Sequence, residues 1–196
     1  MIRAFVAVSV SETVLQRCRE ISDRLRELNL EGRFARTQSI HLTLHFLENI
    51  AGEKVAQIEK VLQETGREVL PFSLEIRRLG GFPNPSRPRV LWIGVHPVDV
   101  VSDLQARLQQ RLEPLGFPGQ DRPFHPHLTL LRFKSRKNLS ALIGYVQGPG
   151  AEEHAGVLKV EEVHLCQSIL KPDGAYRLSG ESAATFVVRD LDRTIS

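Results

Sequence analysis

The sequence predicts a mixed fold of helices and strands that is built from two pseudo-symmetric halves. The first observation is a repeated tetrapeptide, because His-Leu-Thr-Leu occurs at residues 41–44 and again, letter for letter, at 127–130. The second is a shared context, because a strand pattern and a helix pattern precede each copy. The strand patterns start at Arg3 and Val90, so the spacing from strand to motif is nearly equal in the two halves. Matched spacing and an identical tetrapeptide together favour an internal duplication.

The first half begins with an apolar strand pattern at residues 3–10, and Ser11 after it is a residue type that favours a helix N-terminus. A helix is expected next, because apolar residues recur along one side while charged residues occupy the other. That apolar stripe consists of Val14, Leu15, Cys18, Ile21, Leu25 and Leu28. A short strand at 33–36, the motif strand at 40–47 and a helix at about 53–66 complete this half.

A strand at residues 71–79 and a loop at 80–88 that is dense in glycine and proline precede the second copy of the repeat. An apolar strand at 89–95 carries the single tryptophan, Trp92, and leads to an amphipathic helix at 99–113. After a turn-rich connection come the motif strand at 126–133 and a short helix at 138–147. Strands are also predicted at 157–169 and 175–188, with turns at 172–174 and near Gly180.

Each motif presents a histidine and a threonine on the same side of its strand. Successive side chains of a strand point to opposite faces, so the motif leucines face a core. His41 and Thr43, like His127 and Thr129, face away from it. Two such strands facing each other would surround one small anionic group. A neutral imidazole accepts a proton and an imidazolium donates one near neutral pH, while a hydroxyl donates a hydrogen bond to a phosphoryl oxygen. The pattern therefore predicts acid–base chemistry on a phosphate.

A metal centre is the alternative that the histidines leave open. By strand alternation His45 shares a face with His41, and His125 shares one with His127, so four imidazoles would converge. The chain offers no carboxylate or cysteine at ligand spacing, however, and a metal site leaves both threonines unexplained. Nucleophilic serine or cysteine catalysis lacks the sharp strand-to-helix turn that would carry it. We therefore predict that the site uses no metal and no cofactor.

The composition is that of an ordinary globular protein, with 41% hydrophobic and 25% charged residues in a chain of 196. No segment is long and apolar enough for a transmembrane helix, and the first residues lack a signal-peptide pattern. Cys18 and Cys166 have no paired spacing, which argues against disulfides and a cysteine zinc site. These features predict a cytoplasmic protein. The net charge of +3 permits a nucleic-acid partner without requiring one.

Several segments besides the motifs resemble one known family. They are Arg3–Val8, the first motif with its flanks (Ser39–Leu47), the Phe-Pro-Asn-Pro loop with the tryptophan strand (Gly81–Val95), the second motif with its flanks (Arg122–Arg132), and Leu165–Leu170. Together they resemble the LigT family of RNA 2′,3′-cyclic phosphodiesterases, also called 2′-5′ RNA ligases, within the two-histidine phosphoesterase superfamily. The resemblance covers nearly the whole chain. The chain departs from the family pattern at His45, His125 and Cys166, where other residue types are commoner.

The resemblance implies an α+β fold, a single domain over residues 1–196 with two pseudo-symmetric lobes. Each lobe would be an antiparallel sheet backed by helices, with the two His-x-Thr strands lining a central cleft. It also implies hydrolysis of a terminal 2′,3′-cyclic phosphate on RNA to a 2′-phosphate. His127 would accept the proton of the attacking water, and His41 would donate a proton to the leaving 3′ oxygen. Thr43 and Thr129 would hold the non-bridging phosphate oxygens.

Four further residues are expected to bind substrate: Arg132, Phe46, His45 and His125. Arg132 is an expected phosphate contact, but strict alternation turns it toward the leucine side of its strand, so a bulge or twist must re-aim it. The implied partners are RNA ends with a 2′,3′-cyclic phosphate, such as tRNA fragments, and ATP-like nucleotides. A monomer is expected, with no membrane partner. A 2′-5′ RNA ligase and a non-hydrolytic RNA-end binder are the alternative functions, and a 2′-5′ oligonucleotide or a small cyclic nucleotide is an alternative substrate.

Overall fold

A computed structural model describes residues 2–170, 176–179 and 186–187, and the side chains of residues 3–168. The predicted turns at 172–174 and near Gly180 lie outside the described residues. The helices are α1 Glu12–Glu27, α2 Val55–Gly66, α3 Val98–Leu112 and α4 Leu139–Gln147. The strands are β1 Ile2–Val8, β2 Gly32–Phe34, β3 Leu42–Ile50, β4 Phe72–Phe82, β5 Val90–His96, β6 His127–Phe133, β7 His154–Val160, β8 Glu162–Leu170, β9 Tyr176–Ser179 and β10 Phe186–Val187.

Within the described residues, all ten strands belong to one sheet whose pairs are antiparallel. The order is β10-β8-β1-β3-β6-β5-β4-β7, while β2 pairs with β6 and β9 pairs with β8. The predicted α+β class with antiparallel strands is confirmed. One sheet was expected in each half, but the motif strands β3 and β6 pair and join both halves into a single sheet.

The junction between the halves is a single residue pair. Leu42 of the first motif pairs with Leu128 of the second, so equivalent residues lie opposite each other at the centre of the sheet. Beyond this pair the strands separate, because β3 continues along β1 while β6 continues between β5 and β2. A junction at equivalent residues fits the duplication that the repeat predicts.

The helices pack on the leucine side of the sheet, and each half exchanges one helix with the other. The buried stripe of α1, which includes Cys18 and Ile21, joins the same core as the motif leucines. Helix α1 follows β1 but contacts β7 of the second half, whereas α3 follows β5 and contacts α2 and β3 of the first. Ser11 occupies the predicted N-cap position without forming a side-chain cap bond. Each of these two helices is covalently joined to one half and packs on the other, so both helices hold the two halves together.

Two segments differ from the prediction. Strand β4 runs through Gly80 and Gly81 to Phe82, although these residues were expected to form a loop. The reason is the indole of Trp92, which covers Gly80 so closely that a Cβ atom there would lie 2.2 Å from the ring. The strand predicted at 157–169 is instead two strands, because the chain leaves β4 as a partner at Val160 and pairs with β1 beyond Glu162. No helix in the part of the chain that the structure describes has the length and apolarity needed to cross a membrane.

Candidate active site

The two His-x-Thr motifs form one patch at the centre of the sheet. Continuing the antiparallel register of the paired motif leucines by one residue in each direction brings His41 opposite Thr129 and Thr43 opposite His127. All four side chains are partly buried and lie on the face opposite the leucine core. We call this face of the sheet the motif face. It gathers the four predicted catalytic side chains into one site.

Each motif histidine is held in one tautomer by the backbone before its strand. Nδ1 of His41 lies 2.8 Å from the carbonyl oxygen of Ser39, and Nδ1 of His127 lies 2.7 Å from that of His125. A carbonyl oxygen only accepts, so each Nδ1 must carry the hydrogen and donate it. Nε2 of each ring is therefore left to accept a proton when the ring is neutral, or to donate one when it is charged.

Three aromatic side chains that were not predicted as site residues pack against the two imidazoles. Phe5 on β1 stacks on His41 with ring centroids 4.8 Å apart. Phe82 on β4 meets His127 edge-on at 4.9 Å, and Trp92 on β5 lies 6.1 Å from the same ring. These contacts fix the ring planes and exclude water from one side of each ring. Residues 4–8 are all apolar, so the only available signal was strand periodicity, which places Phe5 on the face opposite Ala4 and Val6.

The environment favours the neutral form of both motif histidines. Burial lowers the pKa of His41 and of His127 below the usual histidine value, and the positive charge of Arg132 lowers both further. The charges of His125 and His41 also lower the pKa of His127, so the two motif rings interact electrostatically. The hydrogen bonds to the backbone carbonyls raise both pKa values, but by less. An anionic ligand between the rings would reverse this bias, because it stabilises the charged form.

Arg132 reaches the motif face through a bulge in β6, as its predicted role requires. Leu91 pairs with Leu131, but the next residue, Trp92, pairs with Thr129, so Leu130 is an extra residue in β6. Leu130 and Leu131 are consequently both buried, and Arg132 is exposed on the side of the histidines. Its effect on the pKa values of His41 and His127 is consistent with that position.

His45 lies on the opposite face from the one predicted. An equivalent bulge at Leu44, between the residues that pair with Val6 and Ala7 of β1, turns His45 toward the core. Its side chain is only 4% exposed, and its Nε2–H donates to the carbonyl oxygen of Phe117 at 3.1 Å. His45 therefore secures the loop after α3 to β3 and does not line the motif face, which corrects its placement as a substrate-binding residue.

The four-histidine metal hypothesis also depended on that placement. With His45 on the core side, the four imidazoles do not converge. Among the residues that the structure describes, no group of three or more histidine, cysteine, aspartate or glutamate side chains is arranged to hold a metal ion. The described residues therefore do not support the four-histidine arrangement.

The other two predicted binding residues lie beside the motif residues. Phe46 occupies in the first half the position that Arg132 has in the second; it pairs with Phe5, and 49% of its side-chain surface is exposed. A groove of about 490 Å³ begins at Phe46 and is walled by the loop 116–122. His125 is exposed next to His127, and its ring lies 4.7 Å from that of Trp92. A flat apolar ring and an exposed imidazole thus flank the histidines.

Comparison with known proteins relates most of the chain to one group. Residues 9–169 match the family model of the 2′-5′ RNA ligase superfamily. The RNA 2′,3′-cyclic phosphodiesterase of Methanothermobacter thermautotrophicus is 36% identical over 176 residues, which cover 88% of this chain and 93% of that protein. The protein of the same name from Archaeoglobus fulgidus is 36% identical over 174 residues, covering 88% of this chain and 94% of its own.

Solved structures show the same architecture. TT0787 of Thermus thermophilus has a TM-score of 0.77 and 27% identity, over 95% of this chain and 98% of that one. LigT of E. coli, in a crystal structure complexed with 3′-AMP, has a TM-score of 0.70 and 25% identity, over 94% of this chain and 98% of that one.

Proposed function

The chain belongs to the 2′-5′ RNA ligase superfamily, and from this premise we propose that it is an RNA 2′,3′-cyclic phosphodiesterase that opens a terminal cyclic phosphate to a 2′-phosphate. The observation that carries the proposal is the paired site. Two imidazoles, each with Nδ1 committed to a backbone carbonyl, share the motif face with two hydroxyls. Relatives that share about a third of the sequence over most of its length bear the name of this activity. We further propose a single bilobal domain acting as a monomer; the cytoplasmic location stays a prediction.

In the proposed reaction, Nε2 of neutral His127 takes a proton from the attacking water. Nε2 of protonated His41 gives a proton to the 3′ oxygen as its bond to phosphorus breaks. The water oxygen forms the new bond to phosphorus, so the product is a 2′-phosphomonoester and a free 3′ hydroxyl. Each ring ends in the other's starting state, and exchange with solvent resets both. A positioned acid or a positioned base contributes roughly a hundred- to ten-thousandfold in such a scheme.

The remaining residues of the motif face hold the phosphate and the nucleotide. The hydroxyls of Thr43 and Thr129 donate to the non-bridging oxygens, where charge builds up in the transition state. Arg132 adds a charge-assisted contact to a phosphate oxygen. The exposed ring of Phe46 offers a stacking surface for the terminal base, and the exposed ring of His125 lies next to His127 and Trp92.

An assay on an oligoribonucleotide ending in a 2′,3′-cyclic phosphate tests the proposal directly. We expect hydrolysis at an unchanged rate in EDTA, because imidazoles move the protons and hydroxyls hold the phosphate. The product is identified as the 2′ or 3′ isomer by chromatography against synthetic standards. The double variant His41→Ala/His127→Ala, prepared in parallel, controls for contaminating nuclease.

Three results would count against the proposal. Loss of activity in EDTA that zinc or manganese restores would return the reaction to metal catalysis. A 3′-phosphate product would reverse the assignment of the leaving oxygen. Joining of RNA ends without hydrolysis, or tight binding without turnover, would favour the ligase or the RNA-end binder instead.

The pH dependence provides a second test, with the direction set by the lowered pKa values of both histidines. In the free enzyme, the rate constant kcat/KM should rise as His127 loses its proton and fall as His41 loses its own. Both limbs should lie below the usual histidine pKa, because burial and Arg132 disfavour the charged rings. The bound phosphate is anionic and raises both pKa values, so the bell for kcat should lie at higher pH than the bell for kcat/KM. The two limbs describe the coupled pair and not the separate rings.

Arg132→Gln is the matched variant for this measurement. Removing a positive charge that lowers both pKa values should move both limbs of kcat/KM to higher pH. A profile that stays flat from acid to alkaline pH, with the chemical step shown to limit the rate, would exclude a paired acid and base.

A further inference from the structure

A second arginine lies directly beside Arg132 on the neighbouring strand. The short strand β2 pairs with β6 in the register Gly32 with Phe133, Arg33 with Arg132, and Phe34 with Leu131. Residues directly opposite each other in an antiparallel pair share a face, with Cβ atoms on the order of 5 Å apart. The two guanidinium groups therefore project from adjacent positions of the sheet.

The neighbours of Arg33 fix the face on which it lies. Phe34, the next residue, packs against the core and lies under the guanidinium of Arg26 from α1 at 4.4 Å, which places it on the helix side. Arg33 must then lie on the motif face, and it is exposed there, as Arg132 is. Gly32 keeps the strand close, because a Cβ atom at this position would lie 2.6 Å from the carbonyl oxygen of Arg132.

Placing like charges directly opposite each other in a sheet destabilises the pairing. Two adjacent guanidiniums on an exposed face are, however, well suited to bind phosphate groups, since each presents a planar set of donors. Strand β5 occupies one edge of β6, so β2 lies on the other edge, in line with the motif strand β3. Arg33, beside Arg132, therefore extends the cationic surface past the end of the two motifs. The distance between the two positions is comparable to the separation of successive phosphates in an RNA strand.

We propose that Arg33 binds the backbone phosphate that precedes the terminal nucleotide, so that the RNA strand leaves the site over β6 and β2. This inference rests on the proposed function, because it assumes that the cyclic phosphate occupies the space between the motif histidines. It makes Arg33 a substrate-binding residue that distinguishes an RNA end from a single nucleotide. The same pair of guanidiniums would also suit the phosphate chain of a nucleoside triphosphate, and the experiment separates these sources.

The test compares two substrates in wild type and in Arg33→Gln: cytidine 2′,3′-cyclic phosphate, and a trinucleotide ending in a 2′,3′-cyclic phosphate. We expect kcat/KM for the trinucleotide to fall roughly tenfold in the variant, the usual scale for one lost charge-assisted contact. Turnover of the mononucleotide should be unchanged, because it has no preceding phosphate. The slope of trinucleotide binding against salt concentration, on logarithmic axes, should become shallower by about one.

Two variants serve as controls. Arg33→Lys keeps the charge and should recover most of the trinucleotide activity, which a structural role of the guanidinium would not predict. Arg19→Gln removes an exposed arginine from α1 on the other side of the sheet and should change neither substrate. The melting temperatures of Arg33→Gln and Arg33→Lys are measured in parallel, so that a loss of folding is distinguished from a loss of trinucleotide binding.

The results that would overturn the role of Arg33 differ from the result that would overturn the proposed function. An equal loss on both substrates, or no loss on either, would overturn the role of Arg33. Weaker inhibition of mononucleotide hydrolysis by ATP, with unchanged trinucleotide kinetics, would overturn it in favour of a triphosphate site. If the wild type hydrolyses neither substrate, the proposed function fails, and binding of a 2′-phosphate-terminated trinucleotide to wild type and Arg33→Gln still decides whether Arg33 holds the preceding phosphate.

Discussion

Replacing His127 with alanine is expected to lower kcat by roughly two to four orders of magnitude, the usual share of one positioned acid or base. The same loss is expected for His41→Ala. Water would still reach the phosphate in either variant. His127→Ala would leave no group to take the proton of that water, and His41→Ala would leave no group to protonate the leaving 3′ oxygen. Folding should change little, because both rings are only partly buried and their partners Ser39 and His125 contribute backbone carbonyls. Single-turnover kinetics on a cyclic-phosphate substrate measure the loss in the chemical step.

Two further variants make this prediction specific. His127→Asn keeps a donor for the carbonyl of His125 but cannot accept a proton at the Nε2 position, so it should be as impaired as the alanine variant. His154→Ala removes an exposed histidine from β7 and should leave the rate unchanged. Turnover that survives in both His127 variants would show that the ring does not serve as the base.

Most of the site follows from the sequence because the motif strands alternate regularly where they matter. Over the three residues from histidine to threonine, strand periodicity places one imidazole and one hydroxyl on a common face. The repeat then indicates that the two faces are equivalent. The pairing of Leu42 with Leu128 adds the relative position of the motifs, which no single-strand pattern contains.

The remaining site residues could not be placed by strand alternation, as the fifth residue counted from each motif histidine shows. A bulge shifts the register after the second leucine in both strands, and it depends on the neighbouring strand. In β6 the bulge leaves a trace, because Leu130 and Leu131 are consecutive apolar residues in an alternating strand. In β3 the corresponding residue is His45, whose polar side chain conceals the shift. The rule thus failed for His45, while Arg132 was recognised as needing a bulge.

The helix exchange and the position of Arg33 depend on tertiary pairing. The amphipathic stripe of α1 shows that the helix buries one side, but not that it packs on β7 of the other half. Likewise, a three-residue strand such as β2 carries too little pattern to identify its partner. Its pairing with β6 places Arg33 next to Arg132, although the two residues are far apart in the sequence.

The threonines carry the second large effect. Thr43→Val and Thr129→Val are each expected to lower kcat roughly a hundred- to a thousandfold, the scale for removing one donor to a developing negative charge. Valine keeps the branched shape and the strand preference of threonine, so the change removes the hydroxyl and little else from the motif face. Because the hydroxyl hydrogen bond strengthens as charge builds on the phosphoryl oxygens, KM should change less than kcat.

Serine at either position tests whether the hydroxyl itself is responsible. Thr43→Ser and Thr129→Ser should recover most of the lost rate, because each restores the donor without the methyl group. The pH profile of the valine variants should keep both limbs, since the proton-transfer pair His41 and His127 is intact. If the valine variants instead raise KM alone, the hydroxyls bind the ground state and the transition state equally, and stabilisation of the phosphoryl charge must come from Arg132.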